Sequence, residues 1–488
     1  MSTHEGVDFR SESTSATART VLADALRDVD PVGARAVERE TAWRRQYLEH
    51  FRRAVEVGIG DAGAAVAVAE AGLRSARASM CFDDGSDEGV PLAEAVSSAR
   101  LDQVLSTTTI EGTAEPETEL TLPYRGERLA GDALRRRLDA WHEQGVVTAS
   151  CVEAVRRVQD NPDWLRLDGD VVVVLGAGAE MGPYRALQRW GAEVVALDLP
   201  RADVQERVAR VAAEGAGRVR LPSRIVTRGR PGDGSDVGAD LVRELPAVAH
   251  WLDQVAGSGS RRLVLGTYCY ADGAQHVRVS MAADALAEHL VATRPETALA
   301  FLATPTDVFA VPAEEVVRSE AAYRSGRLGR LARQATRVVS GGRLLARNYP
   351  PGADPGLCDA LVPQQGPNYA LAKRVQRWRA TSARAAGTTV SLNVAPATRT
   401  RSVVKNKALA AAYAGAHRFG VEVFDPATSN TLMAALLVHD LRAGLPPEAE
   451  PWQDEARAAA HGGLWTAAYH PRSALGLAAV LGVGALRG

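Results

Sequence analysis

Lysine is nearly absent from this chain. Of 57 basic residues among 488, only Lys373, Lys405 and Lys407 are lysine, and the rest are arginine. Cysteine is sparse as well. Cys81, Cys151, Cys269 and Cys358 lie far apart, with no CxxC or other metal-ligand spacing. That argues against a disulfide framework or a cysteine metal centre, and for a reducing, cytoplasmic setting. Aromatic residues make up 5% of the chain, and the formal net charge is −2. Without an excess of positive charge there is no broad electrostatic case for nucleic acid or an anionic membrane as partner. Long hydrophobic runs are missing too. No stretch reaches the roughly 18 apolar residues of a membrane span, and the N-terminus has no apolar core of a secretory signal. The apolar segment from Ser473 to Leu486 is short and glycine-rich, and is expected to pack against the body of the protein or a partner subunit.

What is present is an ordinary globular balance, 46% hydrophobic and 24% charged. The length permits roughly two or three domains. Residues 1–165 read as a mostly helical N-terminal domain, with a polar start and with Asn161-Pro162 as the break at its end. From about 166 to 445 short apolar runs alternate with helical stretches, the texture of an α/β fold with a parallel, doubly wound sheet of Rossmann type. Within it, residues 312–363 interrupt the rhythm and read as an insertion before the next helix. Residues 446–488 form a C-terminal tail.

Val171-Val-Val-Val-Leu-Gly176-Ala-Gly178-Ala-Glu-Met-Gly182 runs from a buried strand into an expected helix over 181–190. Glycines there permit a tight turn and bring backbone N–H groups close to a pyrophosphate. The spacing is G-x-G-x-x-x-G, with Met181 where the commoner third glycine stands. The next strand ends at Asp198. An acid at that place accepts hydrogen bonds from an adenosine ribose and repels a 2′-phosphate, which favours NAD. Arg201 nearby keeps NADP open. The same constellation also suits S-adenosylmethionine.

A chain that writes arginine for nearly every cation has kept Lys373 four residues after Tyr369. On a helix this spacing sets a phenol and an ammonium on one face. An ammonium is compact and its pKa can move, which a guanidinium does not offer.

With the glycine loop, Tyr369-Ala-Leu-Ala-Lys373 and the following Val390-Ser-Leu-Asn-Val-Ala-Pro396-Ala-Thr-Arg-Thr400, the chain resembles the short-chain dehydrogenase/reductase superfamily over about residues 168–442. The resemblance implies a nicotinamide-dependent oxidoreductase acting on a carbonyl or alcohol. Tyr369 would be its acid/base, Lys373 would lower the phenol's pKa and hold the cofactor ribose, and Pro396 and Thr400 would lie against the cofactor. The family's serine hydroxyl has no counterpart a dozen residues before the tyrosine. Thr304 or Thr306, at the end of the strand before the insertion, would supply it. Pro396 is followed by alanine where the family has glycine. A redox-linked isomerase or dehydratase retaining its NAD fits the same residues. A small-molecule substrate and a possible homo-oligomer are also expected.

Outside the motif, Asp272 and His276 follow a strand at its carboxyl end, where α/β sheets bind ligands, and are candidate substrate contacts. Lys405 and Lys407 could meet an anion. The competing classes are a methyltransferase using S-adenosylmethionine and a non-catalytic nucleotide-binding module.

Overall fold

The run Asp-Val-Val-Val-Val-Leu at 170–175 is apolar on both faces and β-branched. It is therefore stable only as a strand covered on both sides. In the structure, a computed structural model that describes residues 6–98, 104–224, 236–257, 261–325, 337–405 and 407–485, every residue of that strand is buried. It is the centre of a seven-stranded sheet. In chain order the strands are β1 (Leu105–Glu111), β2 (Asp170–Leu175), β3 (Val194–Leu197), β4 (Arg218–Arg224), β5 (Arg262–Thr267), β6 (Ala298–Ala303) and β7 (Val390–Val394). Across the sheet they run β7-β6-β5-β2-β3-β4-β1. All neighbours are parallel except β1, which pairs antiparallel with β4. With β2 counted first, the parallel strands follow the order of a doubly wound sheet. The fold is thus mixed α/β with a mostly parallel central sheet, consistent with a Rossmann-like arrangement.

The sequence reading sets residues 1–165 apart as a helical unit, yet β1 comes from them and forms the sheet edge. Its sequence, Leu-Ser-Thr-Thr-Thr-Ile-Glu, buries only Leu105, so no apolar pattern announces it. The helices Thr14–Leu26, Trp43–Glu56 and Ala62–Ala78 share one apolar cluster with β2, β5, β6 and β7. Gly72 shows how close that packing is. A Cβ there would lie 2.4 Å from the Trp378 ring on the helix Pro367–Ala385.

The tail closes the molecule. Its helix Pro471–Ala485 crosses Lys407–Gly415 so tightly that a Cβ on Gly482 would meet the Ala411 carbonyl at 1.9 Å. Among the described residues no helix is long and apolar enough to cross a membrane.

The insertion leaves and returns through a narrow neck. Val308–Val311 pairs antiparallel with Gly356–Asp359, Val308 opposite Asp359. Inside the neck Glu315, fully buried, meets His461 of the tail at 3.9 Å, and among the described residues neither carboxylate oxygen has a hydrogen-bond partner. Burial pushes the Glu315 carboxyl up to about 7, against the pull of Arg318. The folded chain therefore keeps a proton that the unfolded chain releases near 4.5, and stability falls as pH rises from about 4.5 to 7. Burial pushes His461 the other way, to about 3, so its contribution is lost as pH falls through the window from 6.5 to 3. Glu315→Gln cannot ionise. It is expected to match the parent near pH 4.5 and to exceed it at pH 8 by on the order of 3 kcal/mol in denaturant unfolding. An equal difference at both pH values would refute the buried-acid assignment.

Candidate functional site

Parallel strands point their carboxyl ends to one edge, and at the place where the order reverses the loops diverge and leave a crevice. Here that place lies between β2 and β5. The glycine loop follows β2, Tyr268-Cys269-Tyr270 follows β5, and Thr304 follows β6.

Gly176 has φ +87°, and a Cβ on it would lie 3.0 Å from the Cys269 backbone. Both conformation and approach therefore require glycine. The Gly178 N–H donates to Asp198 Oδ2 at 2.7 Å, and Leu199 N–H donates to Oδ1 at 2.8 Å. Burial pushes the Asp198 carboxyl up, and these two bonds oppose it. A side chain at Gly178 would press on Asp198 Oδ2, 3.1 Å from the Cβ position. Gly182 is under no such constraint, with nothing nearer than 3.5 Å.

The expected helix over 181–190 begins only at Tyr184, because Pro183 occupies its N-cap. Residues 176–183 form a loop of turns instead, with Ala179 N donating to Gly176 O at 3.0 Å. Within it the N–H groups of Glu180 and Met181 make no hydrogen bond among the described residues. Glu180 ties the loop to the segment after β7. Its carboxylate accepts from Arg401 N and Nε at 2.8 and 3.1 Å, and its carbonyl accepts from Asn430 Nδ2 at 3.3 Å. This brings Thr400, half-buried at the start of the helix Arg401–Lys405, close to the glycine loop. Pro396 is buried, and its carbonyl accepts from the Thr398 hydroxyl.

The helix Pro367–Ala385 starts at a proline behind Gly366 and places Tyr369 in its first turn. Facing it is the helix Ala274–Thr293, which carries His276. The His276 and Tyr369 rings lie 5.2 Å apart, and Tyr270 stands 5.2 Å from His276 and 6.3 Å from Tyr369. His276 is fully buried, and among the described residues neither ring nitrogen has a hydrogen-bond partner. Burial, with Lys373 adding to it, pushes its pKa down to about 3. Instead of titrating near neutrality, the ring stays neutral and can only donate and accept hydrogen bonds. Asp272 is exposed and accepts from the Tyr270 hydroxyl at 2.9 Å.

Of the two threonines, Thr304 is the one that acts on the Tyr369 phenol. The Thr306 hydroxyl lies 2.9 Å from that of Thr304 and accepts from Gln365 Nε2 at 2.9 Å. After Thr306 the chain leaves through the neck and returns with Gln365 against Thr306, ahead of Tyr369.

Lys373 differs from expectation in its partners. Its ammonium donates to Leu302 O at 3.3 Å and to Gln376 Oε1 at 3.0 Å. Burial pulls its pKa down to about 8, with Asp307 and Cys269 opposing. The Tyr369 phenol is not lowered. Burial pushes it above its ordinary value and outweighs Thr304, so it is protonated at neutral pH. Gln376 went unremarked in the sequence, although its position seven residues after Tyr369 puts it on the same helix face. Lys405 and Lys407 are exposed, and Asn406 between them lies outside the described residues.

No family model and no curated protein matches this chain. Among solved structures it is similar to an A1-type ketoreductase, with 13% identity and a TM-score of 0.32, over 60% of this chain and 54% of that one. The alignment thus spans about half the length of the ketoreductase. The class of protein rests on the strand order: an α/β protein with a mostly parallel sheet whose order reverses between β2 and β5.

Proposed function

We propose that this protein is a nicotinamide-dependent oxidoreductase of the short-chain dehydrogenase type, interconverting a small carbonyl compound and its alcohol. The observation that carries the reading is the gathering of Tyr369, Thr304, Lys373 and the unpartnered His276 beside the glycine loop. The loop residues fit a dinucleotide. Asp198 would accept from an adenosine ribose, the free N–H groups of Glu180 and Met181 would donate to a pyrophosphate, and Lys373 would reach a second ribose. Arg201 is engaged with Asp203 at 3.1 Å, which favours NAD over NADP. A bound nicotinamide supplies or accepts hydride.

In the reducing direction Tyr369 donates its phenolic proton to the substrate oxygen as the carbonyl carbon takes hydride. A phenol held protonated is suited to that step. The Thr304 hydroxyl orients the same oxygen. His276, neutral, contacts the substrate beyond it.

The first test is ligand-dependent thermal stability. NAD or NADP at 100 times its dissociation constant is expected to add about 2.7 kcal/mol. Gly178→Val should abolish the effect, because its side chain displaces the Asp198 carboxylate. Stabilisation by S-adenosylmethionine alone would replace this reading with a methyltransferase.

A further inference from the structure

We infer that Gln376 is the positioning residue of Lys373, holding the ammonium through its amide oxygen while Ser280 fixes the amide from the facing helix. The inference rests on the role proposed above for Lys373. An ammonium has three N–H donors and accepts nothing. Leu302 O and Gln376 Oε1 take two of them, which leaves one for the crevice. Because Lys373 can only donate, the Gln376 amide must turn its oxygen to it. Its Nε2 then donates to Ser280 Oγ, 3.4 Å away. Gln376 is 3% exposed and Ser280 is 2% exposed, so water competes little for these bonds.

The register of the two helices makes this more than one contact. Tyr369, Lys373 and Gln376 stand at i, i+4 and i+7 of one helix, and His276 and Ser280 at i and i+4 of the other. His276 thus meets Tyr369 at one end of the ladder, Ser280 meets Gln376 at the other, and Lys373 lies between. The charged or titratable groups facing Lys373 are Asp307 after β6, Cys269 after β5 and His276 on the facing helix. Asp307 is already committed to Arg374 and Arg377. A neutral amide at 376 therefore anchors the ammonium without clamping its proton. A carboxylate there would anchor it and clamp the proton as well.

Three lysines make the test direct, since a chain labelled with ε-13C lysine has three side-chain signals to titrate. Gln376→Glu is expected to raise the Lys373 midpoint by about one to three pH units, as an adjacent opposite charge does. Gln376→Leu is expected to lower it, Ser280→Ala to lower it less, and Lys405 and Lys407 to stay fixed throughout. Under the proposed reaction Gln376→Leu should also lower kcat by about 10- to 100-fold with little change in KM, and the pH profile of kcat should follow the shifted midpoint. An unmoved Lys373 midpoint in both Gln376→Glu and Ser280→Ala would overturn the inference. A moved midpoint in a parent protein without nicotinamide-dependent turnover would leave the anchoring intact and remove the proposed chemistry.

Discussion

Tyr369→Phe is expected to lower kcat for nicotinamide-dependent carbonyl reduction by about 10²- to 10⁴-fold, the usual worth of a positioned acid. The substitution keeps the ring that packs against His276 and Tyr270 and removes only the hydroxyl that Thr304 acts on. Folding and cofactor affinity should therefore survive, and the loss should fall on turnover alone. Steady-state kinetics with thermal stabilisation by NAD as control will show it. A variant within threefold of the parent would eliminate Tyr369 as the proton donor. Lys373→Arg is expected to lose most turnover too. A planar guanidinium cannot reproduce a compact ammonium seated on Leu302 O and Gln376.

Arg377→Met is expected to cost about 3–5 kcal/mol of stability, the penalty for breaking a buried ion pair from one side. Arg377 is 2% exposed. It grips Glu455 with Nε at 2.8 Å and Nη2 at 2.5 Å, and its Nη1 donates to Asp307 Oδ2 and to the Val308 carbonyl, each at 2.8 Å. The guanidinium also lies 4.2 Å above the Phe309 ring. Burial alone would push the Asp307 carboxyl up, but Arg374 and Arg377 more than offset it and hold it below its ordinary value. Two cations balance two anions here, and methionine leaves one buried negative charge in excess. Adding Glu455→Gln should recover part of the loss, because the excess charge is then gone. Denaturant unfolding of the single and double variants measures both effects, and a single-variant loss under 1 kcal/mol would contradict the network's structural weight. The network also matters to the crevice. It joins the Tyr369 helix, the Thr304–Asp307 loop and Glu455 of the tail.

Much of the sheet was legible from short-range pattern. β2, β3, β5, β6 and β7 are apolar runs bounded by glycine, proline or charge, and helices such as Ala62–Ala78 repeat every three to four residues. β1 and β4 were not, because threonine, arginine and proline fill them and only a neighbouring strand makes them β structure. The site divides the same way. Tyr369 and Lys373 stand four residues apart on one helix, and Gly176, Gly178 and Asp198 lie in one strand-loop-strand unit, so spacing alone could propose them. His276 meets Tyr369, and Ser280 meets Gln376, only through helix packing over long stretches of chain, whereas Gln376 stands three residues after Lys373 on the same helix.

Local chemistry is already written in the chain: a parallel-sheet texture, a glycine turn followed by an acid, and a phenol beside a rare ammonium. These follow from backbone sterics and helical period, which act within a few residues. Only packing decided that burial keeps the phenol protonated and His276 neutral, and that Ser280 of the facing helix meets the Gln376 amide. Those outcomes depend on desolvation and on partners distant in the chain, and neither exists until the helices and the sheet have packed.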